Sequence, residues 1–321
     1  MTAAAASPPV TTLITTPTFA RHSPEPWEIL ASAGAGPLRP YEDTALSHTE
    51  LLARIGTADA LIVGMDTVTA EVIDAAGRLK VIAKHGVGVD TIDLAAARAR
   101  GIPVVCAPGS NSRAVAEYTF GLVLSAFRGI TTAHRQVMAG EWPKVFGPEL
   151  AGRTLGVIGF GRIGRLLAGY ALAFGMTVLA HDPYVTDTPG AERVDLDDLL
   201  ARADVVSLHL PADPATGPLL SRARLAAMKP GALLVNAARG GLVDEEALAA
   251  LLRDGHLGGA ALDAFAHEPL PADSPLRTAP RVLLTSHMAA CTPEANRAMG
   301  VLVAEDVVRV LAGDPPLRPA T

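Results

Sequence analysis

The stretch TLGVIGFGRIGRLLAGYALAFG, residues 154–175, decides the fold. It opens on a short apolar run, TLGVI, passes through Gly159-Phe160-Gly161-Arg162-Ile163-Gly164, and leaves in an apolar helical pattern, RLLAGYALAF. A lone G-x-G-x-x-G arises by chance in glycine-rich chains, but a strand before it and a helix after it supply the context its physics needs. Gly159 permits the tight turn, Gly161 presents no side chain to an approaching pyrophosphate, and Gly164 lets the helix pack closely on the strand. Phosphates then sit on unpaired N–H groups at the positive end of the helix. The stretch is predicted to be the first βα turn of a dinucleotide-binding fold. Asp182 ends the next strand, MTVLAHD (176–182), about twenty residues on. An acid there accepts from the adenosine ribose hydroxyls and repels a 2′-phosphate, so NAD is favoured over NADP.

Outward from this turn the chain alternates short apolar runs with amphipathic stretches. Downstream strands are predicted at DVVSLHL (204–210), ALLVNAA (232–238), GAALDAF (259–265) and RVLLTSH (281–287), separated by helical patterns. With TLGVIGF and MTVLAHD that makes six strands with helical crossovers, one complete dinucleotide-binding fold. Upstream, strands are predicted at TTLITTP (11–17), ADALIVGM (58–65), LKVIAKHG (79–86) and IPVVCAP (102–108). The helical patterns between them end at or run into Gly34, Gly56, Gly77 and Gly101, the expected C-terminal stops. The pattern implies an α/β chain with two parallel sheets flanked by helices. A long apolar helix is expected over 112–127, a stretch without a clean period over 131–152, and one amphipathic helix from Pro293 to Leu311.

The length of 321 residues accommodates two domains, and 49% hydrophobic with 19% charged residues is globular composition. The net charge of -6 comes with acids and bases mixed along the chain, so nucleic acid is not an expected partner. Cys106 and Cys291 match no metal or redox spacing and read as free thiols in a reducing cytoplasm. No histidine pair with carboxylates has metal-ligand spacing, so no metal is expected. The alanine-rich opening lacks a basic segment and a continuous apolar core and reads as a frayed tail. No apolar run approaches a membrane span.

In a doubly wound sheet, ligands bind beyond the carboxyl ends of the strands. Three polar residues end the late strands: Arg239 after ALLVNAA, Glu268 three residues after GAALDAF, and His287 at the end of RVLLTSH. Histidine serves as both acid and base near neutral pH, as a hydroxy acid and its oxo acid require. A carboxylate beside it fixes its tautomer and favours its charged form, so Glu268 is its natural partner. A guanidinium matches a carboxylate bidentately, which casts Arg239 as the anchor of a substrate acid group. The expected reaction is hydride transfer between NAD and the 2-carbon of a small 2-hydroxy or 2-oxo acid. His209 also ends a strand and is expected to line the cofactor cleft.

These segments, together with GVGVDTIDLAAARARGIPV, NSRAVAEYTFGLVL, HLPADPAT, MKPGALLVNAARGGLVDEEAL, ALDAFAHEP and SHMAACTPEA, resemble the D-isomer-specific 2-hydroxyacid dehydrogenase family, nearest its phosphoglycerate dehydrogenase-like branch, over nearly the whole chain. The resemblance implies catalytic roles for Arg239, Glu268 and His287. It implies cofactor contacts at Gly161, Arg162, Ile163, Asp182, Pro183, His209, Pro211, Thr216, Ala237 and Asp263. It also implies a discontinuous architecture, a Rossmann NAD-binding domain (109–288) inserted into a flavodoxin-like substrate domain (1–108 and 289–321). A homodimer through the cofactor domains follows from it, with the stretch around Glu141 and Trp142 as dimer surface. The loop Lys84-His85-Gly86-Val87-Gly88 is then expected to offer backbone N–H groups to the substrate carboxylate. A cation at Lys84 suggests a second anionic group on the substrate. Gly64 stands where phosphoglycerate dehydrogenases often carry a second arginine, which weighs against 3-phosphoglycerate itself. The chain stops soon after the return helix, so feedback inhibition by serine is not expected. Two rivals share the motifs: a phosphite-type dehydrogenase and an NAD-sensing corepressor-like scaffold.

Overall fold

The computed structural model describes residues 10–37, 46–212 and 215–320, and the alanine-rich opening lies outside the described residues. The chain divides into two compact units, one comprising 1–111 and 291–321 and the other 112–290.

The first unit begins β1 (Thr11–Ile14), α1 (Glu25–Ser32), β2 (Gly36–Pro37), α2 (His48–Ile55), β3 (Ala60–Val63), α3 (Ala70–Ala75), β4 (Val81–Lys84), α4 (Leu94–Ala99) and β5 (Val104–Val105). The five strands form a parallel sheet in the order β2-β1-β3-β4-β5, the flavodoxin-like order. Every residue of β3 and β4 is buried, as in a parallel sheet covered on both faces. Helix starts follow local chemistry. Ser47 and Glu50 close a capping box on α2, and Thr69 and Asp93 cap α3 and α4 through their side chains. The edge strand β2 was not expected, because Gly36 and Pro37 carry no strand signal and pair only with β1.

The second unit opens with α5 (Ser112–Phe127) and α6 (Ile130–Met138). It continues through β6 (Thr154–Ile158), α7 (Arg162–Ala173), β7 (Thr177–His181), β8 (Glu192–Arg193), α8 (Leu196–Arg202), β9 (Val205–Leu208), α9 (Arg222–Ala227), β10 (Leu233–Asn236), α10 (Glu245–Arg253), β11 (Gly259–Leu262) and β12 (Val282–Leu284). The sheet is parallel and seven-stranded, β12-β11-β10-β9-β6-β7-β8, one strand more than expected, the addition being the two-residue β8. Strand order reverses between β6 and β9, the switch point at which such sheets bind ligands. α6 was not expected either. None of its residues is buried, so it carries no core-facing period to read. The chain then re-enters the first unit as α11 (Pro293–Leu311), capped by the Thr292 side chain. No helix among the described residues is long and apolar enough to cross a membrane.

Candidate active site

The glycines after β6 divide the work as their spacing predicts. Gly159 has φ +92, and a Cβ there would stand 2.4 Å from the His209 carbonyl oxygen. A Cβ on Gly164 would stand 2.3 Å from the Gly159 carbonyl oxygen. Both are packed against backbone, whereas a Cβ on Gly161 would meet nothing within 4 Å. The open glycine is also the N-cap of α7 and offers no side chain to the first-turn N–H groups. An open cradle at the positive end of a helix fits a dinucleotide pyrophosphate. Asp182 closes the loop from below. Its Oδ2 accepts from the Phe160 N–H at 2.8 Å, and its Oδ1 accepts from the Tyr184 and Val185 N–H groups at 2.9 and 3.2 Å. The carboxylate is thus a structural clamp, with lone pairs left over for ribose hydroxyls.

Arg162 and Ile163 open α7, Pro183 follows β7, Pro211 follows β9 and Ala237 follows β10, all at the same carboxyl edge. Thr216 lies exposed in the loop beyond β9. His209 is half-buried, with its Nε2 2.8 Å from the Ser207 hydroxyl. Burial holds its pKa down to about 4, so it is a neutral ring beside the glycine turn.

The other strand ends of this unit bring Arg239, Glu268 and His287 together. His287 Nδ1 lies 2.8 and 3.0 Å from the two carboxylate oxygens of Glu268. That pairing leaves Nε2 as the atom able to give or take a proton. Burial pushes the Glu268 carboxyl up. The His287 hydrogen bond, the Phe265 N–H at 2.9 Å and the charges of His287 and Arg239 outweigh it and hold the group below its ordinary value. Glu268 therefore stays ionised beside an imidazole and within the field of Arg239.

Each of the three is held by a neighbour. The buried Asn236, last residue of β10, donates from Nδ2 to the Arg239 carbonyl at 2.8 Å, and its Oδ1 accepts from the Ala238 N–H at 3.0 Å. Gly240 lets this turn press on the next, since a Cβ there would stand 1.8 Å from the Phe265 carbonyl carbon. His287 has φ +54, in the left-handed region, which strains a non-glycine backbone. Asp263 holds it there. Its Oδ1 accepts from the Thr285 hydroxyl at 2.6 Å and the Met288 N–H at 3.0 Å, and its Oδ2 from the Ala289 N–H at 2.8 Å. Asp263, expected as a cofactor contact, is 1% exposed and braces the histidine loop. Asn236 and Gly240 were missed by the sequence reading. The signal was a lone amide at the end of an apolar strand, an invitation to a side-chain-braced turn.

In the first unit, Lys84 ends β4 buried, its Nζ donating to the Gly64 carbonyl and lying 3.5 Å from the Thr91 hydroxyl. A Cβ on Gly64 would come within 2.8 Å of Thr16, so the backbone there is closed to a side chain. The following loop departs from expectation at one point. The Gly86 N–H donates to the Lys84 carbonyl at 2.8 Å and is spent, while the Val87 and Gly88 N–H groups have no acceptor among the described residues. No group of three metal-ligating side chains occurs among the described residues.

Residues 120–289 match the family model "D-isomer specific 2-hydroxyacid dehydrogenase, NAD binding domain". The chain belongs to this family. Its second unit is the family's NAD-binding domain, and NAD is its cofactor. The chain is 47% identical over 84% of its length to D-3-phosphoglycerate dehydrogenase of Methanocaldococcus jannaschii, covering 53% of that protein. It is 42% identical over 86% of its length to glyoxylate reductase of Thermofilum pendens, covering 85% of it. The TT0316 protein from Thermus thermophilus superposes with a TM-score of 0.90 at 40% identity, over 97% of this chain and 100% of that one. The chain spans about half the length of the phosphoglycerate dehydrogenases it matches.

Proposed function

We propose that the chain is an NAD-dependent dehydrogenase interconverting a small D-2-hydroxy acid and its 2-oxo acid. The observation that carries this reading is the His287–Glu268 pair at 2.8 Å with Arg239 acting on the same carboxylate, in the unit that carries the open Gly161 cradle. When bound, NADH supplies the hydride. The chain's own part is proton and charge management. Glu268 fixes the His287 ring through Nδ1, so that Nε2 gives its proton to the carbonyl oxygen in reduction and takes the hydroxyl proton in oxidation. The Arg239 guanidinium holds the substrate carboxylate and orients the 2-carbon.

The substrate class proposed is the small 2-oxo acids, doubly anionic ones such as phosphohydroxypyruvate included. NADH oxidation measured against glyoxylate, pyruvate, hydroxypyruvate, phosphohydroxypyruvate and phosphonopyruvate tests it. Turnover of at least one that is lost in His287→Ala supports the reading, and no turnover of any 2-oxo acid overturns it. Neither Cys106 nor Cys291 forms a disulfide, which fits the cytoplasm. The end of α6 and the segment after it leave Met138, Trp142 and Phe146 75%, 81% and 94% exposed. An apolar run of that exposure fits a homodimer interface.

A further inference from the structure

The loop after β11 presents two consecutive N–H groups to two different carboxylates. Phe265 donates to Glu268 at 2.9 Å, and Ala266 donates to Glu245 Oε1 at 2.7 Å. Glu245 is the first residue of α10, a helix already capped by the Asp244 side chain on Ala247. Its carboxylate is therefore not needed to close its own helix, and it reaches instead across 21 residues of sequence to the loop that carries Glu268.

We propose that Glu245 is a positioning residue for the Glu268–His287 pair. It pins the loop that aims Glu268, and it sets a second carboxylate beside that of Glu268. The proposal rests on the dehydrogenase reading of the same site.

The charged neighbours are consistent with this. Glu268 and His267 face Glu245 from the loop, and Glu246 from its own helix. The turn at 275–277 and α9 also pack on α10. Arg277 of that turn spends its guanidinium on the Leu270 and Pro271 carbonyls, and Arg224 of α9 donates to the Leu219 carbonyl and faces Asp197. The remaining α9 cation, Arg222, is exposed. Burial pushes the Glu245 carboxyl up, and the charges of Glu268 and Glu246 push the same way, against the Ala266 N–H and His267. An ionised acid is thus disfavoured here by the fold itself. A residue present only to accept from Ala266 would serve as well in the neutral amide form.

Two variants of the full chain separate hydrogen bond from charge. Glu245→Gln keeps the acceptor and removes the charge, and Glu245→Ala removes both. One readout is the NMR titration of the His287 ring protons in the cofactor-free protein, assigned by their loss in His287→Ala. The other is kcat/KM against pH for a 2-oxo acid that the unsubstituted chain reduces. In Glu245→Gln, both the titration and the alkaline limb of the profile are expected to move to lower pH. Its Tm should stay at or above that of the unsubstituted chain, and its KM for NADH within about twofold. Glu245→Ala is expected to lose a further factor of about ten in kcat as the loop is released. A His287 titration unchanged in Glu245→Gln, or a kcat within twofold in Glu245→Ala, overturns the proposal. If the unsubstituted chain reduces no 2-oxo acid, the dehydrogenase reading fails, and the titration alone then decides whether Glu245 acts on the pair.

Discussion

Replacing Gly240 by alanine tests whether the convergence of three loops, rather than the mere presence of three side chains, makes the site work. Gly240 has no positive φ, so alanine meets no conformational obstacle and the whole penalty is spatial. The new Cβ would stand 1.8 Å from the Phe265 carbonyl carbon and 2.2 Å from both the Phe265 oxygen and the Ala266 nitrogen. Ordinary contact begins at 3.4 Å, so the two turns must part by about 1.6 Å. The opposing atoms are backbone, so no side-chain rotation relieves the clash. Overpacking of this kind costs about 1–3 kcal/mol, which for a unit of this size lowers Tm by about 2–12 °C. The displaced segment carries the N–H groups that hold Glu268 and Glu245, while the opposing turn carries Arg239. A displacement above 1 Å costs about 100-fold in rate when reacting groups must be aligned. The assay is steady-state NADH oxidation with the best 2-oxo acid, alongside NADH binding by fluorescence. We expect kcat/KM to fall about 100-fold while the NADH Kd stays within about threefold, because Gly159, Gly161 and Asp182 lie at other strand ends. A kcat/KM within twofold of the unsubstituted chain refutes the reasoning, and so does a parallel loss of NADH binding.

Arg239→Ala should lower kcat/KM for the 2-oxo acid by about 100-fold or more, the loss of a charge-assisted bidentate contact, with NADH binding kept, as read by the same two assays. Glu268 is held below the ordinary carboxylate range, so it remains ionised above that range and its contribution is lost only as pH falls through its folded value. Glu268→Gln removes that charge at every pH, and a pH–rate profile should show turnover at pH 7.5 down about tenfold or more. The buried His85 has its pKa held down to about 4 against 6.5, mainly by burial. Between those values the unfolded chain binds a proton that the folded chain refuses, so stability falls as pH drops from about 6.5 toward 4, by of order 3 kcal/mol. Thermal melts across that range should show the loss, and it should shrink in His85→Asn. Trp142→Ser with Phe146→Ser should shift sedimentation from dimer to monomer without changing the far-ultraviolet circular dichroism.

The parts legible in the sequence were those whose period is set by burial. β3, β4, β9, β10 and β11 are buried at every position and read as short, mainly apolar runs. The three half-exposed polar residues at the late strand ends were legible because they break such runs. What stayed illegible has a common cause. β2 and β8 are two-residue edge pairings too short to leave a period, and the residues of α6 enter no core. The spent Gly86 N–H and the Lys84–Gly64 contact depend on backbone direction in a turn, which residue type does not fix. Gly240 read as an ordinary loop glycine because the backbone that crowds it lies about 25 residues further along the chain.

Asp263 carries the more general lesson. A carboxylate at a strand end invites the reading of a ligand contact, yet this one is closed off and accepts three hydrogen bonds from the 285–289 segment. Asn236, the last residue of the neighbouring strand β10 and paired there with Leu262, is equally buried and grips the turn that carries Arg239. The site is therefore built in two tiers. At the strand ends, buried polar side chains with no access to solvent fix the backbone of the loops above them. A few residues on stand half-exposed Arg239, Glu268 and His287, the three proposed to do the chemistry, on loops that would otherwise be free to move. The strained backbone at His287 needs such a tier, because a non-glycine residue persists at positive φ only where its neighbours over-determine it. At the ends of β10 and β11 the buried polar residue is thus a support, and the residue proposed to react lies beyond it.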